Sequence, residues 1–274
     1  MLLGQLLRAA ARDAACPAKG FRVLKTLFIA LAGAVAALLP ASAIAAQPAS
    51  AQTCQGWHVV TGDDGLQYTV NPNNWGGGNT CIEDYGTQAG FTVESQTAPN
   101  DGSVLAYPDS SIGCSWGGSA YCTNGWVPEQ VSTANPSESL SMTFTGSSSD
   151  IGDFSNDIWF WSPGALNPDT ELMIYFDEQN LAIPKNAVQV RVNGVRYWYK
   201  TYMLSNASYS WRYLVFERVN PLDTIDSLPL APFFSYAEGQ GVLSGSDYLQ
   251  EISAGFEESQ GGTGLQLNYF SVSP

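Results

Sequence analysis

The chain has 274 residues, with 25 Asp and Glu against 11 Lys and Arg, a single His and a net charge of −14. Such acidity excludes a nucleic-acid binder, which needs clustered Lys and Arg, and one His excludes His-rich metal sites and His-pair acid–base chemistry. With 45% apolar residues and 8 Trp, 13 Tyr and 12 Phe, the chain has ample material for a core.

The first element in chain order is a leader. Arg8, Arg12, Lys19, Arg22 and Lys25 precede an apolar run, Leu27 to Leu39, followed by Pro40 and the small residues Ala41 to Ala46. This basic, apolar, small-residue order is that of a secretory signal peptide. The apolar run has 13 residues, short of the roughly 20 that cross a bilayer. Residues 1–46 are therefore expected to be removed, with cleavage anywhere between 43 and 51, leaving an exported protein with no membrane segment. Loss of five basic residues and Asp13 moves the net charge from −14 to −18. Cys16 leaves with the leader, so Cys54, Cys81, Cys114 and Cys122 remain. An even count in an exported chain predicts two disulfides. Three pairings are open, of which Cys54–Cys81 with Cys114–Cys122 is the simplest. A zinc site is disfavoured, since the chain has no C-x-x-C and its one imidazole is His58.

Residues 47–274 show no repeat and no long linker, and read as one domain. Period-two alternation predicts strands at Ser139–Thr145 (Leu140, Met142 and Phe144 on one face), Asp157–Trp161, Glu171–Asp177 and Val188–Val192. Tyr197–Tyr202, Tyr209–Glu217, Ile252–Glu257 and Leu265–Val272 are further strands. One helix is predicted from Leu230, Phe233, Phe234 and Ala237 at i, i+3, i+4 and i+7, started by Pro229 and ended by Gly239. Many short strands with one short helix predict an all-β, two-sheet antiparallel jelly-roll sandwich.

His58 has no G-x-S-x-G partner and receives no catalytic role. Carboxylates remain. Asp157 shares its strand face with Trp159 and Trp161, and Glu171 shares its face with Met173 and Tyr175. Glu257 lies opposite the inward Ile252, Ala254 and Phe256. Each acid thus stands on the face away from the core, among flat side chains. That pattern fits a concave, aromatic-lined sheet face that stacks on sugar rings, and paired carboxylates there are the machinery of glycoside hydrolysis. The competing reading, acids solvated on an exposed face, holds for most of the chain's acids.

Several segments, in order through nearly all of residues 47–274, resemble glycoside hydrolase family 12, secreted endo-β-1,4-glucanases and xyloglucan hydrolases. Tyr68 to Gly76 (YTVNPNNWG) is similar to the family's Asn-rich segment ending in Trp-Gly, with Cys81 following. Ala106-Tyr107-Pro108-Asp109 resembles S-Y-P-N, and Asn156-Asp157-Ile158-Trp159 resembles Y-D-L/I-W. Glu171-Leu172-Met173-Ile174 resembles E-I/L-M-I-W, and Ala254-Gly255-Phe256-Glu257 resembles A/S-G-F/T-E.

The resemblance implies a substrate cleft across the concave sheet and a retaining double displacement. Glu171 would be the nucleophile and Glu257 the acid/base, roughly 5–5.5 Å apart, with Glu171 ionised and Glu257 protonated at rest. Asp157 would tune Glu171. Asn73, Trp75, Tyr107, Trp159, Met173 and Tyr175 would contact substrate. Tyr175 departs from the family's usual Trp, and Glu258 follows the acid/base where an apolar residue or Pro is common. The expected partner is a β-glucan polysaccharide acted on by a secreted monomer without metal or cofactor. The alternatives are a xyloglucan-specific hydrolase of the same family and a non-catalytic glycan-binding sandwich.

Overall fold

The computed structural model describes residues 52–97, 103–114, 122–123, 125–143, 149–206 and 208–274. The expected leader, its cleavage window, Phe144 and Thr145 lie outside them. In chain order the strands are β1 (Gln52–Thr53), β2 (His58–Thr61), β3 (Gln67–Asn71), β4 (Asn79–Asp84), β5 (Phe91–Thr97), β6 (Asp109–Gly113), β7 (Glu129–Gln130), β8 (Ser137–Thr143), β9 (Ile151–Trp161), β10 (Thr170–Gln179), β11 (Val188–Val192), β12 (Val195–Ser205), β13 (Ser210–Arg218), β14 (Thr224–Pro229), β15 (Tyr248–Gln260) and β16 (Gln266–Ser273). The helix α1 (Ala231–Gly239) precedes β15.

Two sheets form. One has the order β1-β4-β5-β16-β8-β14, and the other β11-β12-β13-β10-β9-β15-β6-β3-β2 with β7 paired to β15. Pairing is antiparallel except between β10 and β13. This is the expected jelly-roll sandwich. The alternation predicted for β9, β10 and β15 holds: Phe154, Ile158, Phe160, Leu172, Ile174, Ile252 and Phe256 are fully buried between the sheets. Phe154 stacks 5.4 Å from both Phe176 and Phe256, and Phe256 meets Phe91 edge-on at 6.0 Å.

Strands β2 to β6 and β14 escape the periodicity reading. In β6 every residue is buried, so no polar face exists to alternate with. The helix corrects one boundary. Pro229 still pairs with Ser137 as the last residue of β14, and Pro232 instead occupies the first helical turn, where a missing N–H costs no bond. Gly239 closes the helix as expected. Phe233 and Phe234 pack on the ten-stranded sheet at 5.2 Å from Phe216 and 5.1 Å from Phe160.

The disulfides are Cys54–Cys81 and Cys114–Cys122, the sequential pairing. The first stands beside the Asn-rich turn. There Asn74 Nδ2 donates to the carbonyls of Cys54 and Thr80, both at 3.0 Å, and its Oδ1 accepts from Thr80 N at 2.7 Å. Gly76 permits the turn to lie on the following segment, because a Cβ there would sit 2.0 Å from the Val104 carbonyl oxygen.

Candidate active site

Strands β10, β9 and β15 are neighbours at the centre of the larger sheet. Their register decides which side chains meet. Across β10 and β9, Glu171 opposes Trp159 and Met173 opposes Asp157. Glu171 and Asp157 are therefore diagonal neighbours on the face turned away from the core, within reach for long side chains. Across β9 and β15, Asp157 opposes Ser253 and Asp153 opposes Glu257. Asp157 thus lies on the strand between those that carry the two glutamates. The charges of both Asp157 and Glu257 act on Glu171.

Each acid has its own partners. Trp211 Nε1 on β13 donates to Glu171 Oε2. Trp159 Nε1 donates to Asp157 Oδ2 at 2.8 Å. Tyr175 Oη donates to Glu257 Oε2 at 3.2 Å and lies 2.8 Å from Tyr213 Oη. Since Tyr175 has one hydroxyl proton and gives it to Glu257, Tyr213 must donate to Tyr175.

The remaining expected residues divide into surface, shelf and support. Trp75 is half exposed on its turn, free to stack. Asn73, in the left-handed region at φ 40°, points inward and donates from Nδ2 to Asp109 Oδ2 at 2.9 Å. Tyr107 is buried, with its hydroxyl donating to the Ser155 carbonyl at 3.0 Å. That bond makes Tyr107 a support for β9. Met173 is buried against Tyr213 and Val215, with Tyr175 and Leu204 beside them, in a small apolar cluster separate from the main core. Trp159 is nearly buried and stands 6.3 Å from Trp211 at a 47° tilt. Gly255 lets β15 approach the Tyr107 segment, since a Cβ there would meet the Pro108 carbonyl oxygen at 2.1 Å.

Burial raises the carboxyl pKa throughout this face. Glu171 and Asp157 are pushed well above the ordinary carboxylate range, first by desolvation and then by neighbouring negative charge. The Trp211 and Trp159 N–H groups pull the other way. Glu257 is raised by desolvation and held back by the Asp153 carboxyl beside it and by the Tyr175 hydroxyl bond. The expected separation, Glu171 low and Glu257 high, is not seen: both go up, and at Glu171 burial and like charge outweigh the Trp211 donor. Carboxylates this close cannot all ionise together, so protons are shared among them.

The structure adds residues that the sequence reading passed over. Trp211 and Tyr213 alternate along β13 with Val215, and this was visible in the expected 209–217 strand. What the pattern lacked was any sign that this face lies beside Glu171. Asp153 and Glu251 were missed, and Asp109, in the Tyr-Pro motif, was given no role. Asp153 and Glu251 precede the expected strand starts at Asp157 and Ile252, and Asp109 opens the fully buried β6. Glu258 turns inward, 1% exposed, and accepts a bond from Gln96 Nε2. Among the described residues no group of His, Cys, Asp and Glu stands in metal-binding geometry.

No family model and no curated protein matches the sequence. Solved structures do. The endoglucanase cel12A from Rhodothermus marinus superposes with a TM-score of 0.71 at 27% identity, over 82% of this chain and 98% of that one. A metagenome-derived glycoside hydrolase family 12 endoglucanase gives 0.70 at 28% identity, over 82% and 97%. The chain is similar throughout to glycoside hydrolase family 12 endoglucanases. A family 12 xyloglucanase from Bacillus licheniformis shares the fold, with a TM-score of 0.68 at 19% identity over 82% of this chain and 99% of that one. The protein is a glycoside hydrolase of the endoglucanase type, and the acid-bearing face of β9, β10 and β15 is its candidate active site.

Proposed function

We propose that this protein is a secreted, monomeric endo-β-1,4-glucanase of glycoside hydrolase family 12 that cuts soluble or amorphous β-glucan with retention. The observation that carries the reading is the register of β10, β9 and β15, which gathers Glu171, Asp157 and Glu257 on one face among Trp159, Trp211, Tyr175 and Tyr213. Secretion follows from the leader at residues 1–46 and agrees with the two disulfides.

In the first step Glu171 attacks the anomeric carbon. A glycosyl–enzyme ester forms as the glycosidic C–O bond breaks, and Glu257 gives its proton to the departing oxygen. In the second step Glu257 takes a proton from water, the water oxygen bonds to the anomeric carbon, and Glu171 leaves. Trp211 Nε1–H stabilises Glu171 as an anion before attack and as leaving group afterwards. Asp157, raised well above its ordinary value, is placed to hold a proton beside Glu171 and so relieve the charge that opposes ionisation. Met173 and Trp159 give the reacting sugar an apolar floor, and Trp75 offers a stacking surface.

The test is a substrate panel of carboxymethylcellulose, mixed-linkage β-glucan, xyloglucan and xylan, read by reducing ends and viscosity. Fast viscosity loss on the first two substrates is expected. Preference for xyloglucan would move the specificity, and no hydrolysis of any of the four would favour a binding module.

A further inference from the structure

Asp153 has no role in the double displacement, yet it is the residue that directly opposes Glu257 across β9 and β15. It is 1% exposed, and neither of its carboxyl oxygens is reached by a hydrogen-bond donor of ordinary geometry among the described residues. Its carboxyl is in side-chain contact with that of Glu257. Both acids line a cavity of about 170 Å³ together with Tyr175, Glu178 and Glu217.

Among the described residues, the groups facing Asp153 supply no positive charge. Tyr175 and Glu178 come from β10, Glu217 from β13, and Tyr107 from the segment before β6. Tyr213 on β13, Tyr202 on β12 and Asp157 on β9 face Glu257. The phenols here are raised and stay neutral through the working range. The Ser155 hydroxyl lowers Asp153 in part, less than burial and the Glu257 charge raise it, and without a bond of ordinary geometry. A buried carboxyl that touches a second carboxyl, with no donor of ordinary geometry and no cation among the described residues, relieves the repulsion by sharing a proton with it.

We infer that Asp153 is the proton partner of Glu257, a positioning residue that holds one proton in common with the acid/base and sets the pH range over which Glu257 can act as an acid. In the resting pair one proton lies between the two carboxyls. Glu257 passes that proton to the departing glycosidic oxygen as the C–O bond breaks, leaving both carboxyls ionised. The repulsion between them then strengthens Glu257 as the base that removes a proton from water, which restores the singly protonated pair. The inference rests on the proposed role of Glu257.

The test is the pH profile of kcat/KM for Asp153→Asn on carboxymethylcellulose. The amide removes the like charge and adds a donor to the Glu257 anion, and both changes lower the Glu257 pKa. The alkaline limb should therefore move to lower pH by about one unit, while the melting temperature changes little. A limb that stays in place or moves upward overturns the inference. Glu257→Gln separates the two claims. If that variant keeps wild-type activity, the acid/base reading fails. If it is inactive while Asp153→Asn leaves the limb unmoved, only the pairing fails. Should Asp153→Asn not fold, 13C-carboxyl NMR of the wild-type protein decides: two inflections at Glu257 support the shared proton, and a single one overturns it.

Discussion

The two faces of β9, β10 and β15 are made by the same backbone and follow opposite rules. Toward the second sheet, Phe154, Ile158, Leu172, Ile174 and Phe256 are packed dry, with rings in edge or tilted contact. On the other face, Asp153, Asp157, Glu171, Glu251 and Glu257 crowd together; burial raises four of them, and repulsion adds to it at Asp153, Asp157 and Glu171. One face holds the strands in place. The other uses that rigidity to keep groups together that would separate in water. Concentrating carboxyls at a site costs stability, and a core of this size is what allows it.

Adjacent residues give the sharpest break of that comparison. Glu171→Gln should lower hydrolysis by roughly 10⁴-fold or more while the melting temperature holds or rises. Glu257→Gln should cost about 10²–10⁴-fold on polysaccharide, and far less on an aryl glycoside whose leaving group needs no proton. One residue earlier, Phe256→Ala should remove about 3–5 kcal/mol of stability and leave the activity per folded molecule nearly unchanged, measured by denaturant titration beside initial rates. Loss of catalysis without loss of stability at Phe256 would erase the distinction between the faces.

Smaller effects sharpen it. Trp211→Phe keeps the ring and removes the donor to Glu171, so kcat should fall roughly tenfold, the worth of a hydrogen bond to a charged group, and the acid limb of the pH profile should move upward. The smallest change concerns Glu217, pushed by burial and by Glu178 from 4.5 to about 7. Its folded-state pKa is raised, so between those values the unfolded chain binds fewer protons than the native one, and stability falls as pH rises. Glu217→Gln should flatten melting temperature against pH across that window.

Much of this was legible in the sequence, for a physical reason. Where one face is dry and the other polar, alternation reveals the strand and the side on which Asp157, Glu171 and Glu257 stand. Where both faces are covered, as in β6, alternation vanishes, and Asp109 was placed on no strand and given no role. Cross-strand register is the other gap. The Asp153–Glu257 pair and the Trp211–Glu171 bond come from strands far apart in sequence, and no local pattern encodes which residue opposes which. The helix start moved for a similar reason, since pairing of Pro229 with Ser137 is a tertiary contact.

The most direct measurement is trapping of the glycosyl–enzyme with a 2-deoxy-2-fluoro-cellobioside bearing a good leaving group, followed by peptide mass mapping. The account expects one added cellobiosyl unit, attached to Glu171 and released by water or an acceptor sugar. A label on Glu257 or Asp157, or an enzyme that turns over normal substrate and never takes up the label, would contradict it.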